Sequence, residues 1–387
     1  MPHIAEWKEI KNGNVTDVYF LRTSEILKTK GIDSYVKAEF IAKSFPDGLN
    51  WAVFAGLEEC AELMSGMKIN VRAIKEGTVF RSFEPVMEIE GKYSDFCIYE
   101  TSFLGLMCQA SGIATRAARC ILAAGDKSVI SFGARRMHPA IAPMIERNAF
   151  IGGCDGFAVN ASKRLIGKNP TGTMPHALVL IIGDTVKATE AFNEVIDKKV
   201  KRVSLVDTFN DEKFETLRVA EALGKNLYAV RLDTPASRRG NFREILREVR
   251  WELDQRGFEN IKLFVSGGIV ESDIRELNDY ADSYGIGTYI SNAPVVDFSM
   301  DIVEISGKPI AKKGKWSGSK RVLRCKKCLK DIILPLKCGK RKCSCGRDTE
   351  DILQKFMSNG KVMHKLPIAK EIRSKVLNQL KKIEFFS

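Results

Sequence analysis

Histidine and tryptophan are scarce in this chain, four of each among 387 residues, and no apolar run extends beyond roughly residues 177–182. A membrane-spanning helix needs about 20 such residues in succession, so none is predicted. The opening residues MPHIAEWKEIKNG also lack the apolar stretch of a secretory signal. These absences lead us to expect a soluble, cytoplasmic protein with no membrane partner. Acidic residues are in deficit, 48 against 61 Lys and Arg, which leaves a net charge of +13. That surplus favours anionic partners, polyphosphate substrates included. No RNA-recognition or helix-turn-helix signature accompanies it, so nucleic acid is not an expected partner. A hydrophobic share of 44% excludes disordered and fibrous classes and supplies a full core.

Ten cysteines are present, five of them in RCKKCLKDIILPLKCGKRKCSCGRD. The spacing is C-x2-C, nine residues, then C-x4-C-x-C, and the histidines His3, His138, His176 and His364 all lie elsewhere. Paired cysteines in tight, glycine-containing knuckles approach one ion, and a structural Zn²⁺ takes four thiolates. Cys325 and Cys328 are expected ligands, with the second pair drawn from Cys338, Cys343 and Cys345; iron is the alternative metal. A closed four-thiolate site leaves no position for substrate, so the expected role is structural. Cys60, Cys97, Cys108, Cys120 and Cys154 sit among apolar residues and are predicted to be small buried hydrophobes.

Between residues 127 and 289, short apolar runs alternate with amphipathic segments. KSVISFG, GFAV, ALVLIIG, KRVSLVDTF, LYAVRLD, IKLFVSGGI and YGIGTY are seven strand candidates. Helices are predicted over 136–149, 185–198, 211–223, 241–256 and 271–280, several bounded by Asp or Asn at the start and Gly at the end. Repeated βα units with nearly continuous apolar strands indicate a parallel sheet, as a barrel or as an open doubly wound sheet. Polar residues and glycines collect where these strands end: Gly133, Arg135 and Arg136; Gly183, Asp184 and Thr185; Asp207 and Thr208; Arg231 and Asp233; Ser266, Gly267 and Gly268; Gly285 and Gly287. Turn chemistry accounts for the glycines, but not for separate strands ending in Asp or Arg. In parallel α/β folds that edge carries the active site.

Before this region, VYFLRT and SYVKAEF read as strands, 57–64 as a helix and 103–124 as a long, mostly buried helix. After it, VDFSMDIVEISGKPIAKKGKW has β character with a Gly-Lys-Pro turn and is expected to return to the first layer, while 350–387 reads as a Lys-rich helical tail.

The runs SFGARRMHPA, GGCDG, TGTMPHAL, VDTF, VRLD, VSGGI and YGIGT, in that order, resemble the nicotinate phosphoribosyltransferases over nearly all of residues 1–320. The cysteine domain is similar to an extension found in some archaeal members. The resemblance implies a type II phosphoribosyltransferase: an incomplete α/β barrel of about seven parallel strands (116–289), an N-terminal α+β sandwich (1–115, completed by 290–320) and a small C-terminal zinc domain (321–387). It implies a homodimer or a higher dimer-based oligomer with shared sites.

By the same resemblance, Phe132 and Arg135 lie against the pyridine ring, with Tyr19 of the partner subunit completing an aromatic sandwich. Arg231 and Asp233 face ribose and diphosphate, and Asp207 orients the ribose or a bound metal. Gly267, Gly268, Gly285 and Gly287 offer backbone N–H groups to the 5-phosphate. Mg²⁺ neutralises the leaving diphosphate, and His176 is phosphorylated by ATP. His138 is expected to be structural. Relatives that use nicotinamide carry an acidic residue shortly after GGxD; here Phe157 and Ala158 stand in that neighbourhood, which favours the carboxylate substrate. Phe20 stands where many relatives have a basic residue. The alternatives are a quinolinate phosphoribosyltransferase, whose SGIATR-like helix resembles residues 111–116, and a zinc-ribbon nucleic-acid-binding protein.

Overall fold

The computed structural model describes residues 3–383. The chain forms two compact units, Met1–Thr115 with Pro294–Ser387, and Arg116–Ala293.

In chain order, after a short helix at Trp7–Lys11, the first unit contains α1 (Val18–Thr29), β1 (Tyr35–Ala42), α2 (Leu57–Met64), β2 (Ile69–Ala73) and β3 (Met87–Lys92). The run VYFLRT belongs to α1 and is not a strand. Only Phe20 of that helix is buried, so no alternating face exists to dock in a sheet. Phe20 therefore anchors the helix. Helix α2 buries Leu57, Cys60, Ala61, Leu63 and Met64. Helix α3 (Glu100–Ala124) is continuous, and the boundary between the units falls within it.

The second unit contains β4 (Ser128–Ser131), α4 (Ala142–Ile151), β5 (Gly156–Phe157), α5 (His176–Ile182), α6 (Thr185–Val195), β6 (Val203–Leu205), α7 (Glu212–Leu223), β7 (Ala229–Leu232), α8 (Phe242–Gln255), β8 (Lys262–Val265), α9 (Glu271–Leu277) and β9 (Ser283–Ile286). Its strands form one parallel sheet in the order β5-β4-β9-β8-β7-β6, a curled half-barrel.

The sheet has six strands where seven were expected, because ALVLII is helix α5. Pro175 precedes the first turn and Gly183, at φ +85°, closes the last. Val179 is fully buried, whereas Leu180 and Ile181 are 57% and 84% exposed, a one-sided burial that a central strand does not permit. Val179 packs with Met174, Ala188 and Leu205 in a small apolar cluster. The predicted helix over 136–149 starts late. Short 3₁₀ turns at Gly133–Arg136 and Pro139–Ile141 come first, since Pro139 cannot continue a helix. Side-chain caps fix three of the other four starts: Asp184 accepts from the Lys187 N–H, Asp211 from Lys213 and Phe214, and Asn241 from Glu244. Helix α8 buries Phe242, Leu246, Val249 and Leu253 along one stripe, and each such side chain contributes roughly 1.5–3 kcal/mol.

The chain then supplies β10 (Phe298–Ile305), β11 (Lys308–Pro309), β12 (Lys320–Cys325), β13 (Asp331–Pro335), β14 (Thr349–Asp351), β15 (Gln354–Ser358), β16 (Lys361–Val362) and α10 (Ala369–Ile383). Strand β10 pairs antiparallel with β1, from Val36 opposite Ile305 to Ala42 opposite Phe298, so the segment after the barrel does return to the first layer. The complete sheet runs β11-β10-β1-β3-β2-β15-β16. The tail is thus only partly helical. Residues 321–387 do not stand apart as a separate compact unit, because β15 hydrogen-bonds along β2 and joins the first unit's sheet. Strands β13-β12-β14 form a small sheet that carries the cysteine knuckles. No helix among the described residues is long and apolar enough to cross a membrane.

Candidate active site and a four-thiol cluster

At the C-terminal ends of the barrel strands, the chain leaves β4 at Phe132, whose N–H donates to the carbonyl of Ile286 at the end of β9 (2.8 Å). The Phe132 ring lies 5.8 Å from that of Phe264 on β8, tilted by 43°. The Arg231 guanidinium stands 5.9 Å from the Phe132 ring centroid. Gly285 makes room for this ring, since a Cβ there would come within 2.6 Å of Phe132 Cε2. Gly285 itself is inside β9, opposite Ile130. The missing side chain at Gly285 thus gives the aromatic ring its space. Gly133 is similarly confined: a Cβ would meet the Gly287 carbonyl at 2.4 Å.

Arg231, on β7, is held from two sides. Its Nη1 donates to Thr173 Oγ1 (2.5 Å) and its Nη2 to Asp233 Oδ2 (3.3 Å). The other oxygen of Asp233 accepts from Ser266 Oγ (2.6 Å). Carboxylate and guanidinium are thereby fixed in one chain of hydrogen bonds at the rim of the sheet. Immediately after Ser266, Gly267 and Gly268 take left-handed conformations, φ +90° and +74°, and a Cβ on Gly267 would lie 2.7 Å from the Asp233 carbonyl. Both conformations favour glycine, and at Gly267 the missing Cβ lets the backbone pack directly on the end of β7. Gly287 caps a short helix, Thr288–Ser291.

His176 opens α5 with its side chain 39% exposed, and its Nε2 lies 3.2 Å from Oδ2 of Asp207, whose side chain is 2% exposed. Burial raises the Asp207 carboxyl above its ordinary range; His176 opposes the shift and the nearby Asp233 adds to it. Among the described residues, Asp207 Oδ1 is buried without a hydrogen-bond partner. Asp207 and Asp233 thus offer two oxygen-donor carboxylates near one another, one with a coordination position to spare.

The remaining expected residues fall elsewhere. Arg135 is exposed on the 3₁₀ turn after Phe132, as are Arg136 and, just beyond it, His138. Tyr19 projects from α1 of the first unit, 55% exposed and with its ring centroid 4.3 Å from that of Phe20. Asp155 of GGCDG ties β4 to β5: its Oδ2 accepts from the Val129 N–H at 3.0 Å, and its own N–H donates to the Val129 carbonyl at 2.7 Å. Sequence reasoning assigned no role to Thr173 or Glu146. Thr173 lies in the loop before His176, and nothing in its neighbours announces a contact with β7. Glu146 is fully buried and accepts from Ala158 N, Val159 N and Ser162 Oγ, shaping the segment after β5.

In the first unit, the thiols of Cys325, Cys328, Cys343 and Cys345 all lie within 4.8 Å of one another. Cys325 and Cys345 approach to 3.6 Å and Cys328 and Cys343 to 3.5 Å, while Cys338 is outside the group. The backbone N–H of Cys328 points at Cys325 Sγ (3.5 Å), the knuckle geometry that stabilises a thiolate.

Comparison with known proteins agrees with this layout. Residues 17–111 match the family described as quinolinate phosphoribosyl transferase, N-terminal domain, and residues 113–301 match its C-terminal domain. A nicotinate phosphoribosyltransferase of Mycobacterium tuberculosis is 26% identical over 354 residues, spanning 81% of this chain and 78% of the relative. The crystal structure of human nicotinic acid phosphoribosyltransferase shares the fold at a TM-score of 0.75 and 19% identity, covering 95% of this chain and 94% of that one. A crystal structure of nicotinate-nucleotide pyrophosphorylase from Pyrococcus furiosus superposes at a TM-score of 0.97 with 52% identity, over 99% of this chain and 98% of that one. With the sheet edge, the domain pair and a relative of this identity in agreement, the chain belongs to the family of nicotinate and quinolinate phosphoribosyltransferases.

Proposed function

We propose that the chain is a nicotinate phosphoribosyltransferase of NAD salvage, joining nicotinate to 5-phosphoribosyl diphosphate with release of diphosphate. The observation that carries this reading is the linked set Phe132, Arg231, Asp233, Ser266 and Gly267 on one sheet edge. In the proposed reaction the pyridine nitrogen attacks the anomeric carbon as the diphosphate oxygen departs, and positive charge builds on the ribose ring. No side chain needs to remove a proton from the nucleophile. Catalysis then rests on placement and on fixed charge. Arg231, already clamped by Thr173 and Asp233, meets the developing diphosphate charge without reorganising. Asp233, held by Ser266, faces the electron-poor ribose. Gly267, Gly268 and Gly287 give the 5-phosphate backbone donors. Phe132 provides one aromatic face for the pyridine, Tyr19 of the partner subunit the other in a dimer-based assembly, and Arg135 pairs with the substrate carboxylate.

Asp207 and Asp233 would hold Mg²⁺, which when bound neutralises diphosphate charge. ATP is the proposed third substrate, with His176 as phosphoryl acceptor and Asp207 holding the opposite charge against its ring. Cys325, Cys328, Cys343 and Cys345 would hold a structural Zn²⁺. Their donor set of four soft thiolates fits that ion.

The test is diphosphate release with phosphoribosyl diphosphate and Mg²⁺, comparing nicotinate, nicotinamide and quinolinate with and without ATP. Turnover with nicotinate, raised by ATP, is expected. Preferential turnover of quinolinate would move the chain to the other branch of its family, and no turnover with any of the three would overturn the reading.

A further inference from the structure

Strand β5 ends after two residues, Gly156 and Phe157, and the next two N–H groups donate to a side chain instead of a strand. That side chain is Glu146 of α4, wholly buried. Its Oε1 accepts from Ala158 N at 2.9 Å and Val159 N at 3.1 Å, and its Oε2 from Val159 N at 3.1 Å and Ser162 Oγ at 2.5 Å. Burial raises the Glu146 carboxyl above its ordinary range, and the donations from Ser162, Ala158 and Val159 oppose that shift. Burying a carboxylate is costly, and an apolar residue would fill the same space without that cost. The side chain is therefore more than filling.

The Ala158 N–H belongs to the same planar peptide unit as the Phe157 carbonyl. That carbonyl accepts from the Thr171 N–H at 2.6 Å. One rigid plane is thus gripped by Glu146 at its N–H and by the returning chain at its C=O. Lys168 Nζ reinforces the return by donating to the Asp155 carbonyl at 2.5 Å. Gly156 permits it, since a Cβ there would lie 2.7 Å from Thr171 Oγ1. Two residues beyond Thr171, Thr173 Oγ1 accepts from Arg231 Nη1 at 2.5 Å. Thr173 stands between two anchors, Thr171 and the buried Met174, and the first leads back to Glu146.

We propose that Glu146 is a positioning residue for phosphoribosyl transfer, acting through the Phe157–Ala158 peptide, Thr171 and Thr173 to aim the Arg231 guanidinium. This rests on the proposed function, in which Arg231 meets the diphosphate. Glu146 touches no reacting atom; it sets the place of a residue that does.

A double-mutant cycle tests this, with kcat/KM for phosphoribosyl diphosphate measured for wild type, Glu146→Ala, Thr173→Val and the double variant. Each single change is expected to lower it roughly tenfold, with KM for the pyridine substrate nearly unchanged. The double variant should be about as active as the weaker single one, because residues acting along one path are not additive. Glu146→Gln, which keeps the size and an oxygen acceptor for the Ala158 N–H, should recover most of the loss. Gly156→Ala displaces Thr171 from the opposite side with Glu146 intact and should give the same signature; it replaces Glu146→Ala in the cycle should that variant fail to fold, as judged by Tm. Losses that multiply in the double variant, or equal rises in KM for both substrates, would overturn the inference and leave the proposed function standing. A wild-type chain without turnover would overturn the proposed function, and this inference with it.

Discussion

His176 Nε2 stands 3.2 Å from Asp207 Oδ2, at the point where the helix that replaces an expected strand begins beside the end of β6. The pairing joins an exposed ring to a carboxylate that is almost wholly buried. A group added to the free side of that ring would change the charge facing Asp207 without disturbing the sheet. His176→Ala is therefore expected to abolish ATP stimulation while leaving transfer without ATP largely intact, measured as diphosphate release. Asp207→Asn should reduce the stimulation and lower the basal rate as well. Unchanged ATP stimulation in His176→Ala would sink the phosphohistidine assignment.

Arg231 is held by Thr173 and Asp233, and its removal leaves Asp233 without its guanidinium. Arg231→Ala should lower kcat/KM for phosphoribosyl diphosphate by roughly 10²–10³, the range seen when a fixed transition-state donor is lost. Arg231→Lys, which keeps the charge but not the planar fork, should recover only part of it. Steady-state kinetics on the two variants separates charge from geometry.

Gly285→Ala tests the packing of the aromatic platform. The added methyl would meet Phe132 at 2.6 Å and displace the ring. A rise in KM for nicotinate, with KM for phosphoribosyl diphosphate nearly unchanged, is the expected signature.

For the thiol cluster, metal content and thermal unfolding give the readout. Cys328→Ser should lose bound zinc and lower Tm by at least about 5 °C. Cys338→Ser should retain both, because Cys338 lies outside the quartet. Equal losses in the two variants would contradict the assignment of the spare thiol.

Glu84 supplies a pH prediction. Burial first, and then the neighbouring Asp331, raise its carboxyl to about 8 from the 4.5 of an exposed glutamate. The folded pKa is above the unfolded one, so the folded state holds the proton more tightly. The associated stabilisation is complete below about pH 4.5 and is lost as the pH climbs through 8. Glu84→Gln should flatten the decline of Tm between about pH 5 and 8, and a slope unchanged from wild type would refute the assignment.

Much of the site was legible because strand ends punctuate the sequence. VRLD, VDTF and VSGG each announced a polar side chain at the rim, and the capping residues Asp184, Asp211 and Asn241 marked helix starts by local chemistry alone. ALVLII and VYFLRT were misread for one physical reason: a short apolar run does not disclose whether one side or both will be buried, and here only Val179 and Phe20 are fully covered. The packing of Gly285 beneath the Phe132 ring was not legible, because spacing along the chain does not disclose which side chain will lie over a glycine. Thr173 was invisible as a partner of Arg231, 58 residues away in sequence. The spare cysteine was equally undecidable from spacing, since each candidate pair closes a plausible knuckle.

The seven-stranded sheet draws on three separate stretches of chain, and β2 receives its neighbour β15 from about 280 residues later; Arg72, for example, donates to the Leu353 carbonyl. The half-barrel, by contrast, is built from one uninterrupted stretch. During synthesis the barrel strands therefore emerge from the ribosome with all their partners, while β2 waits as an open edge until residues 354–358 have been made. Pairings so remote close slowly and leave edges that invite intermolecular pairing. A truncation shortly before Gln354 would strand the first unit in that state, so the aggregation hazard of this unit turns on one short strand, β15.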